Sequence, residues 1–317
     1  LIEKGWKPER FTETGQPIVD EGTLEGIEIP EAKAINEYLM LQKRIAQIES
    51  WLKALGDDGR VHGRVITNGA ITGRMTHMSP NMAQIPNSGS PYGEECRDLW
   101  IVDKGYKLVG IDASGLELRM LAHYMKDDAY TSEVVSGDIH TTNQKAAGLE
   151  TRNQAKTFIY AFLYGAGDAK IGKVVGAGAQ EGKNLKSRFL QNTPALQTLR
   201  EKISSVAKNT GTIPGLDGRR IQIRSDHAAL NSLLQGAGAV VMKQALVLLD
   251  ESLTKFNIDY KFVANVHDEW QIEVEESYAD MTGKLGVQAI QNAGKVLKMR
   301  CPLDGKYKVG NSWKETH

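Results

Sequence analysis

Along much of the chain the apolar positions repeat with either a helical or a strand period, and the places where one period gives way to the other are informative. In the run from Lys107 to Tyr124, Leu108, Val109 and Ile111 read as a short buried strand. Leu116, Met120, Leu121 and Tyr124 then recur at helical spacing. Ser114 or Gly115 is placed to cap that helix, which puts Asp112 where a strand hands over to a helix. A carboxylate at a strand's C-terminal end can hold a metal or a phosphate, and it serves equally well as a helix cap.

A second acidic cluster changes the balance. Between Lys261 and Glu275, Phe262, Ala264 and Val266 alternate before the triplet His267-Asp268-Glu269, and Trp270, Ile272 and Val274 alternate after it. This pattern predicts a hairpin with the triplet at its tip. Beside the Asp112 strand, that tip would bring two carboxylates together without an obligatory basic partner. Two unit charges about 4 Å apart repel by roughly 4 kcal/mol at an effective dielectric near 20. Oxygen ligands of this kind suit a divalent cation such as magnesium or manganese.

The most informative helix is predicted over 151–165. Arg152, Lys156, Tyr160 and Tyr164 are spaced by four and line one face, while Ala155, Phe158, Ile159, Phe162 and Leu163 form an apolar stripe on the other. Two cations followed by two rings suit triphosphate oxygens at one end and a nucleobase at the other. Gly165 is placed to end the helix.

Together these motifs resemble family A (polymerase I-like) DNA polymerases, and the resemblance runs over nearly the whole chain, on the phage side of the family. Asp112-Ala-Ser-Gly-Leu-Glu117-Leu-Arg119 is similar to the first carboxylate motif, Val266-His267-Asp268-Glu269 to the second, and the helix from Arg152 to Tyr164 to the fingers helix. Tyr160 stands where many bacterial members carry phenylalanine. The resemblance implies an α+β right-hand polymerase: an antiparallel-sheet palm, helical fingers and a partial helical thumb. It places the end of the thumb in 1–58, palm in 59–127 and 209–317, and fingers in 128–208.

It also implies primer-template DNA and dNTPs as substrates and two magnesium ions, with manganese a possible substitute, held by Asp112, Asp268 and the carbonyl of Ala113. Glu269 and His267 would support this centre, with His267 near the DNA. Arg152, Lys156 and His140 would face the triphosphate, Lys156 also as proton donor. Tyr160 and Tyr164 would meet the base, and Ala113, Ser114 and Gly115 would line the nucleotide. Glu117 matches the family's steric gate against a ribose 2′-hydroxyl. Arg74, in the Gly- and Pro-rich segment after a strand expected over 61–65, would reach the minor groove near the primer end, as would Asn231 and Gln235, four apart on a long apolar helix opening at His227. His227 departs from the arginine common in bacterial members.

Composition bounds the rest. A chain of 317 residues, 41% apolar, has room for roughly two or three subdomains around a sizeable core. Net charge is zero, with 39 basic and 39 acidic side chains, so any nucleic-acid surface must be a local cluster, such as Lys170 to Arg188 or Arg219 to Arg224. Cys96 and Cys301 are the only cysteines, which fits idle thiols in a reducing compartment. With no apolar run judged long enough to span a bilayer and no signal peptide, the expectation is a cytoplasmic protein, in a host's cytoplasm if viral, without a membrane partner.

The chain opens on Leu1 within what reads as a helical region. It is expected to belong to a longer protein or a divided one, with an N-terminal exonuclease and thumb portion or a companion chain, and a possible processivity factor, as partners. Gly167 to Val174 nearly matches the phosphate-binding loop of nucleotide hydrolases, but Val174 replaces the hydroxyl and a helix precedes it. This stretch and Gly176-Ala-Gly178 are expected to be turns. A hairpin is expected over 213–223, and the segment from Lys306 to His317 suggests no role. The remaining alternatives are a single-chain phage-type RNA polymerase and a non-catalytic DNA-binding module.

Overall fold

The computed structural model describes residues 1–317, save for the side chain of Asp226. The chain divides into two compact units, Leu1–Arg64 with His77–Cys96, and Val65–Thr76 with Arg97–His317. In chain order the elements are α1 (Glu21–Leu24), α2 (Pro30–Lys53), β1 (Arg64–Ile66), β2 (Thr76–Met78), α3 (Gly93–Asp98), β3 (Tyr106–Ala113), α4 (Leu116–Met125), α5 (Asp128–Val135), α6 (Ile139–Ala147) and α7 (Arg152–Leu163). There follow α8 (Asp168–Gly172), α9 (Ala179–Asn192), α10 (Pro194–Thr210), β4 (Thr212–Pro214), β5 (Arg220–Gln222), α11 (Ala229–Lys255), β6 (Tyr260–Val266), β7 (Glu269–Glu275), α12 (Ala279–Val296), β8 (Gly305–Gly310) and α13 (Trp313–Thr316).

The first unit is built on α2, which starts at Pro30, where a missing N–H costs nothing. It buries Ala32 and Trp51 and leaves Tyr38, Ile45 and Leu52 exposed, so its apolar residues do not form one inward stripe. Within this unit Arg44 donates to the Pro91 carbonyl at 3.2 Å and Gln47 to that of Gln84 at 3.2 Å. The strand expected over 61–65 begins instead at Arg64, because Val61 is used in an isolated bridge to Leu55.

The second unit is organised around a four-stranded antiparallel sheet in the order β6-β7-β3-β8. α12 lies on one face at very short range. A Cβ at Gly283 would sit 2.1 Å from the Tyr307 ring and one at Gly286 2.2 Å from Ile111, so only glycine allows this approach. The opposite face is covered by α13, whose Trp313 and Thr316 are buried. Strand β7 is consequently buried on both sides. Trp270, Ile272 and Val274 are inaccessible as expected, but Glu269, Gln271 and Glu273 are buried too. The alternation that predicted β7 holds for its apolar members, while Glu269 and Gln271 are met by a C-terminal segment whose sequence carries no strong period and Glu273 pairs with Lys261 of β6 at 2.8 Å.

α11 is the longest helix, 27 residues, and by length and composition it could cross a bilayer, contrary to the expectation that no run is long enough. Its apolar side chains are used inside the protein: Leu230, Leu234, Val241, Ala245, Leu249 and Leu253 are all buried. Burying each such leucine or valine contributes about 1.5–3 kcal/mol. The glycine stretch after α7 is not a simple turn. Asp168–Gly172 is a short helix followed by a 3-10 turn over Lys173–Val175, and only Gly176-Ala-Gly178 is a connection. The hairpin expected over 213–223 is present as β4 and β5, turning through Asp217 and Gly218 at φ 80°. Both cysteines are free and buried.

Candidate active site

Strands β3 and β7 pair so that Asp112 faces Glu269, and the Ala113 amide donates to the Asp268 carbonyl at 3.0 Å. The turn between β6 and β7 is only His267 and Asp268, shorter than the expected triplet, and His267 takes the left-handed conformation at φ 58°. Asp112 and Asp268 therefore stand on adjoining ends of neighbouring strands. Burial, and next the charge of Glu269, pushes the Asp112 carboxyl up to about 6. Burial, and next the charge of Asp112, pushes Asp268 up to about 7. Asp268 resists ionisation while Asp112 is charged, and Asp112 while Glu269 and Glu117 are. The expectation of no basic partner needs one correction, because Lys306 on β8 lies opposite Asp112 and its charge, with that of His317, opposes the upward shift.

Glu269 is differently placed. Its Oε1 accepts from Gln271 and, at 2.6 Å, from Trp313 Nε1, while His317 Nδ1 lies 2.7 Å from Oε2. Burial pushes this carboxyl up, but the bonds from His317, Gln271 and Trp313 outweigh it and hold it below its ordinary value. Glu269 ties the C-terminal segment under the sheet. Among the described residues no three His, Cys, Asp or Glu side chains cluster closely enough to hold a metal by themselves. The donors available fit a hard divalent cation that completes its shell with water and substrate oxygens.

α7 starts at Thr151, whose hydroxyl accepts from Gln154 N while the Gln154 side chain accepts from Thr151 N, a reciprocal cap. Ala155, Phe158, Ile159, Phe162 and Leu163 are buried, Arg152 and Lys156 are exposed, and Tyr164 caps the helix before Gly165 at φ 74°. The Tyr160 and Tyr164 rings stack with centroids 6.5 Å apart and planes 24° apart. Arg152 Nε donates to Asp138 Oδ2 at 2.8 Å, and this bond holds the Asp138 carboxyl well below the usual range. His140 sits 6.3 Å from Tyr160, and burial followed by the charges of Arg152 and Lys156 lowers its pKa. Tyr160 is raised by burial, then by Glu117, Asp268 and Asp112, which puts this face of α7 in the field of the acidic pair.

Between the two lies Glu117. The Tyr164 hydroxyl donates to its Oε1 at 2.9 Å and Arg74 Nη2 donates to the same oxygen at 3.1 Å. Asn231 and Gln235 are half-buried on α11 one turn apart, and His267 shares a small cleft with Arg74.

The profile of DNA polymerase family A matches residues 1–315. The chain is 45% identical to a DNA-directed DNA polymerase of Enterobacteria phage T3, over 100% of the chain and 51% of that relative. The chain belongs to DNA polymerase family A. A DNA-directed DNA polymerase of Escherichia phage T7 is 44% identical over the same shares, so the chain spans about half the length of these curated relatives. Its fold is that of a solved structure described as the POL domain of Pol1 from M. smegmatis in complex with DNA primer-template and dNTP. The TM-score is 0.89 and the identity 22%, over 100% of this chain and 60% of that one.

As a family A polymerase, the chain brings Asp112, Asp268, Glu117, Arg74, Tyr160 and Tyr164 into one region, with His140, Arg152 and Lys156 at the far end of the α7 face. Gly115, at φ 58°, takes the cap position of α4, and Ser114 does not. Sequence reasoning missed Lys306, Trp313 and His317. Alternation of Tyr307 and Val309 was a weak strand signal for β8, and a lone tryptophan four residues from the end was the only mark of α13.

Proposed function

We propose that the protein extends a DNA primer on a DNA template with deoxynucleoside triphosphates, using Asp112 and Asp268 to hold two magnesium ions, or manganese in their place. The observation that carries this reading is the pair of carboxylates on adjoining strand ends, each raised by burial and by the acidic groups around it, opposite a helix face of two cations and two rings. A cation offsets the burial and the crowding of acidic groups that raise both. Bound there with the Ala113 carbonyl as a further ligand, the two ions would activate the primer hydroxyl and stabilise charge on the departing pyrophosphate.

The chain's own residues do the rest. Arg152, released from Asp138, and Lys156 meet triphosphate oxygens, and His140, whose depressed pKa favours the neutral ring, donates one hydrogen bond to them. Lys156 supplies a proton to the leaving group. Tyr160 and Tyr164 stack on the incoming base and the template, with Ala113, Ser114 and Gly115 lining the sugar and phosphates. Glu117, held by Tyr164 and Arg74, closes the space that a 2′-hydroxyl would need. Arg74, Asn231, Gln235 and His267 contact the DNA, the first three through minor-groove acceptors that every correct pair presents. Glu269 acts through the position of β7. In this reading 1–58 is the end of a thumb, 59–127 and 209–317 form the palm, and 128–208 form the fingers. An N-terminal portion or companion chain, and a processivity factor, complete the working enzyme.

The test is extension of a labelled primer by the purified chain with magnesium. Template-directed addition of dNTPs in preference to rNTPs is expected. Tight DNA binding that does not strengthen with the next correct dNTP and metal, and yields no extension, would favour a non-catalytic binding module.

A further inference from the structure

Lys243 lies about two turns beyond Gln235 on α11. Its ammonium donates to the Thr67 carbonyl and to Asn68 Oδ1, each at 2.6 Å. These residues open the segment Val65–Thr76, and Arg74 stands near its other end. The segment is folded on itself: Gly73 N donates to Ala70 O at 2.8 Å, and Ala70 N to Arg74 O at 3.2 Å.

Two further contacts fix it. Arg219, oriented by Asp217 at 2.8 Å, packs so closely on Gly73 that a Cβ there would lie 2.1 Å from Nη1, and Gly73 itself needs φ 78°. A Cβ on Gly236 would lie 3.5 Å from the Thr72 carbonyl, which brings α11 itself against the segment. Lys243 and Arg74 line the same small cleft, together with Met242, Asn265 and His267. Burial and the nearby Arg219 charge lower the Lys243 pKa. A partly desolvated ammonium of this kind is retained where its hydrogen bonds are made, and here they go to one short segment.

We propose that Lys243 is a positioning residue for Arg74: its two bonds fix the start of the Val65–Thr76 segment, and with it the angle at which the Arg74 guanidinium meets Glu117 and the terminal base pair. The inference rests on the reading of Arg74 as a minor-groove contact. Lys243 touches neither substrate nor metal in this account.

The test compares kcat/KM for extending matched and mispaired primer ends in Lys243→Met, Lys243→Arg, Asn68→Ala, Arg74→Ala and the double variant Lys243→Met with Arg74→Ala. Lys243→Met lowers the matched-to-mispaired ratio about five- to tenfold and adds less than about twofold once Arg74 is gone. Lys243→Arg restores part of the loss, and Asn68→Ala gives a smaller fall. Hydrogen exchange over 65–76 quickens in Lys243→Met while α11 stays protected, a readout that does not depend on turnover. If Lys243→Met has its full effect in the Arg74→Ala background, or changes neither the ratio nor the exchange, the positioning role is wrong. If Arg74→Ala itself leaves discrimination at wild-type level, the reading of Arg74 fails and this inference falls with it.

Discussion

Tyr164 and Glu117, one from the end of α7 and the other from the first turn of α4, are joined by a hydrogen bond of 2.9 Å, and the oxygen that accepts it also accepts from Arg74. A carboxylate held from two sides is a fixed wall, whereas a carboxylate on a mobile side chain would yield. Glu117→Ala is therefore expected to raise the use of rNTPs relative to dNTPs at least tenfold, because the space for a 2′-hydroxyl opens. Comparing kcat/KM for the two nucleotide sets measures it. An unchanged ratio removes Glu117 from sugar selection.

Tyr160 presents its ring beside Tyr164 and its hydroxyl in the field of Asp112, Asp268 and Glu117. That hydroxyl can take the place of the missing sugar hydroxyl of a dideoxynucleotide. The protein is expected to use such terminators well, and Tyr160→Phe to use them at least tenfold less while dNTP incorporation changes little, since a lost hydrogen-bonding group discriminates where a ring does not. Terminator incorporation unaltered in the variant would contradict this.

The acidic pair makes the metal-free protein's stability depend on pH in a definite direction. Both folded pKa values, about 6 and about 7, lie above the ordinary 3.8, so ionisation is harder in the folded chain than in the unfolded one. The resulting penalty is absent well below pH 4, grows between about pH 4 and 7 and is complete above the folded values. With chelator present, lowering the pH from 8 towards 5 should therefore lessen this penalty, and Asp268→Asn should stabilise the protein at pH 8 by about 1 kcal/mol after allowance for solvent screening. Thermal melts with and without magnesium check both. A variant less stable than wild type in chelator contradicts the assignment.

Much of this arrangement was legible in the sequence. The α7 stripe predicted the five buried side chains and the opposite face correctly, because a two-sided helix writes its burial directly into a period of 3.6. The strand-to-helix change at Asp112 was legible as a change of period and the hairpin at Asp268 from its apolar alternation, although β6 does not bury alternate residues and shifts register between Phe262 and Ala264. Glu269 and Gln271 were not, since they are met by Trp313, Thr316 and His317, more than 40 residues away, and no local period records a distant cover. Lys306 beside Asp112 and Lys243 beneath the Arg74 segment were missed on the same grounds: each meets its partner only through tertiary packing.

That distant cover can be tested. Trp313→Ala leaves a cavity and removes one donor from the buried Glu269 carboxylate, and should cost about 3–5 kcal/mol. Trp313→Phe keeps most of the packing and loses only the indole N–H, at a cost of about 1–2 kcal/mol. Denaturant melts rank the two. Equal losses would mean that the indole N–H bond to Glu269 alone, and not packing, holds α13 in place.

The central claim is that Asp112 and Asp268 together hold the ions that drive nucleotide addition. Its most direct measurement is single-turnover primer extension in magnesium by Asp112→Asn and Asp268→Asn, with primer-template affinity measured in parallel. Each variant is expected to lose at least about 1,000-fold in rate while still binding the DNA. Extension near the wild-type rate by either variant would contradict the account.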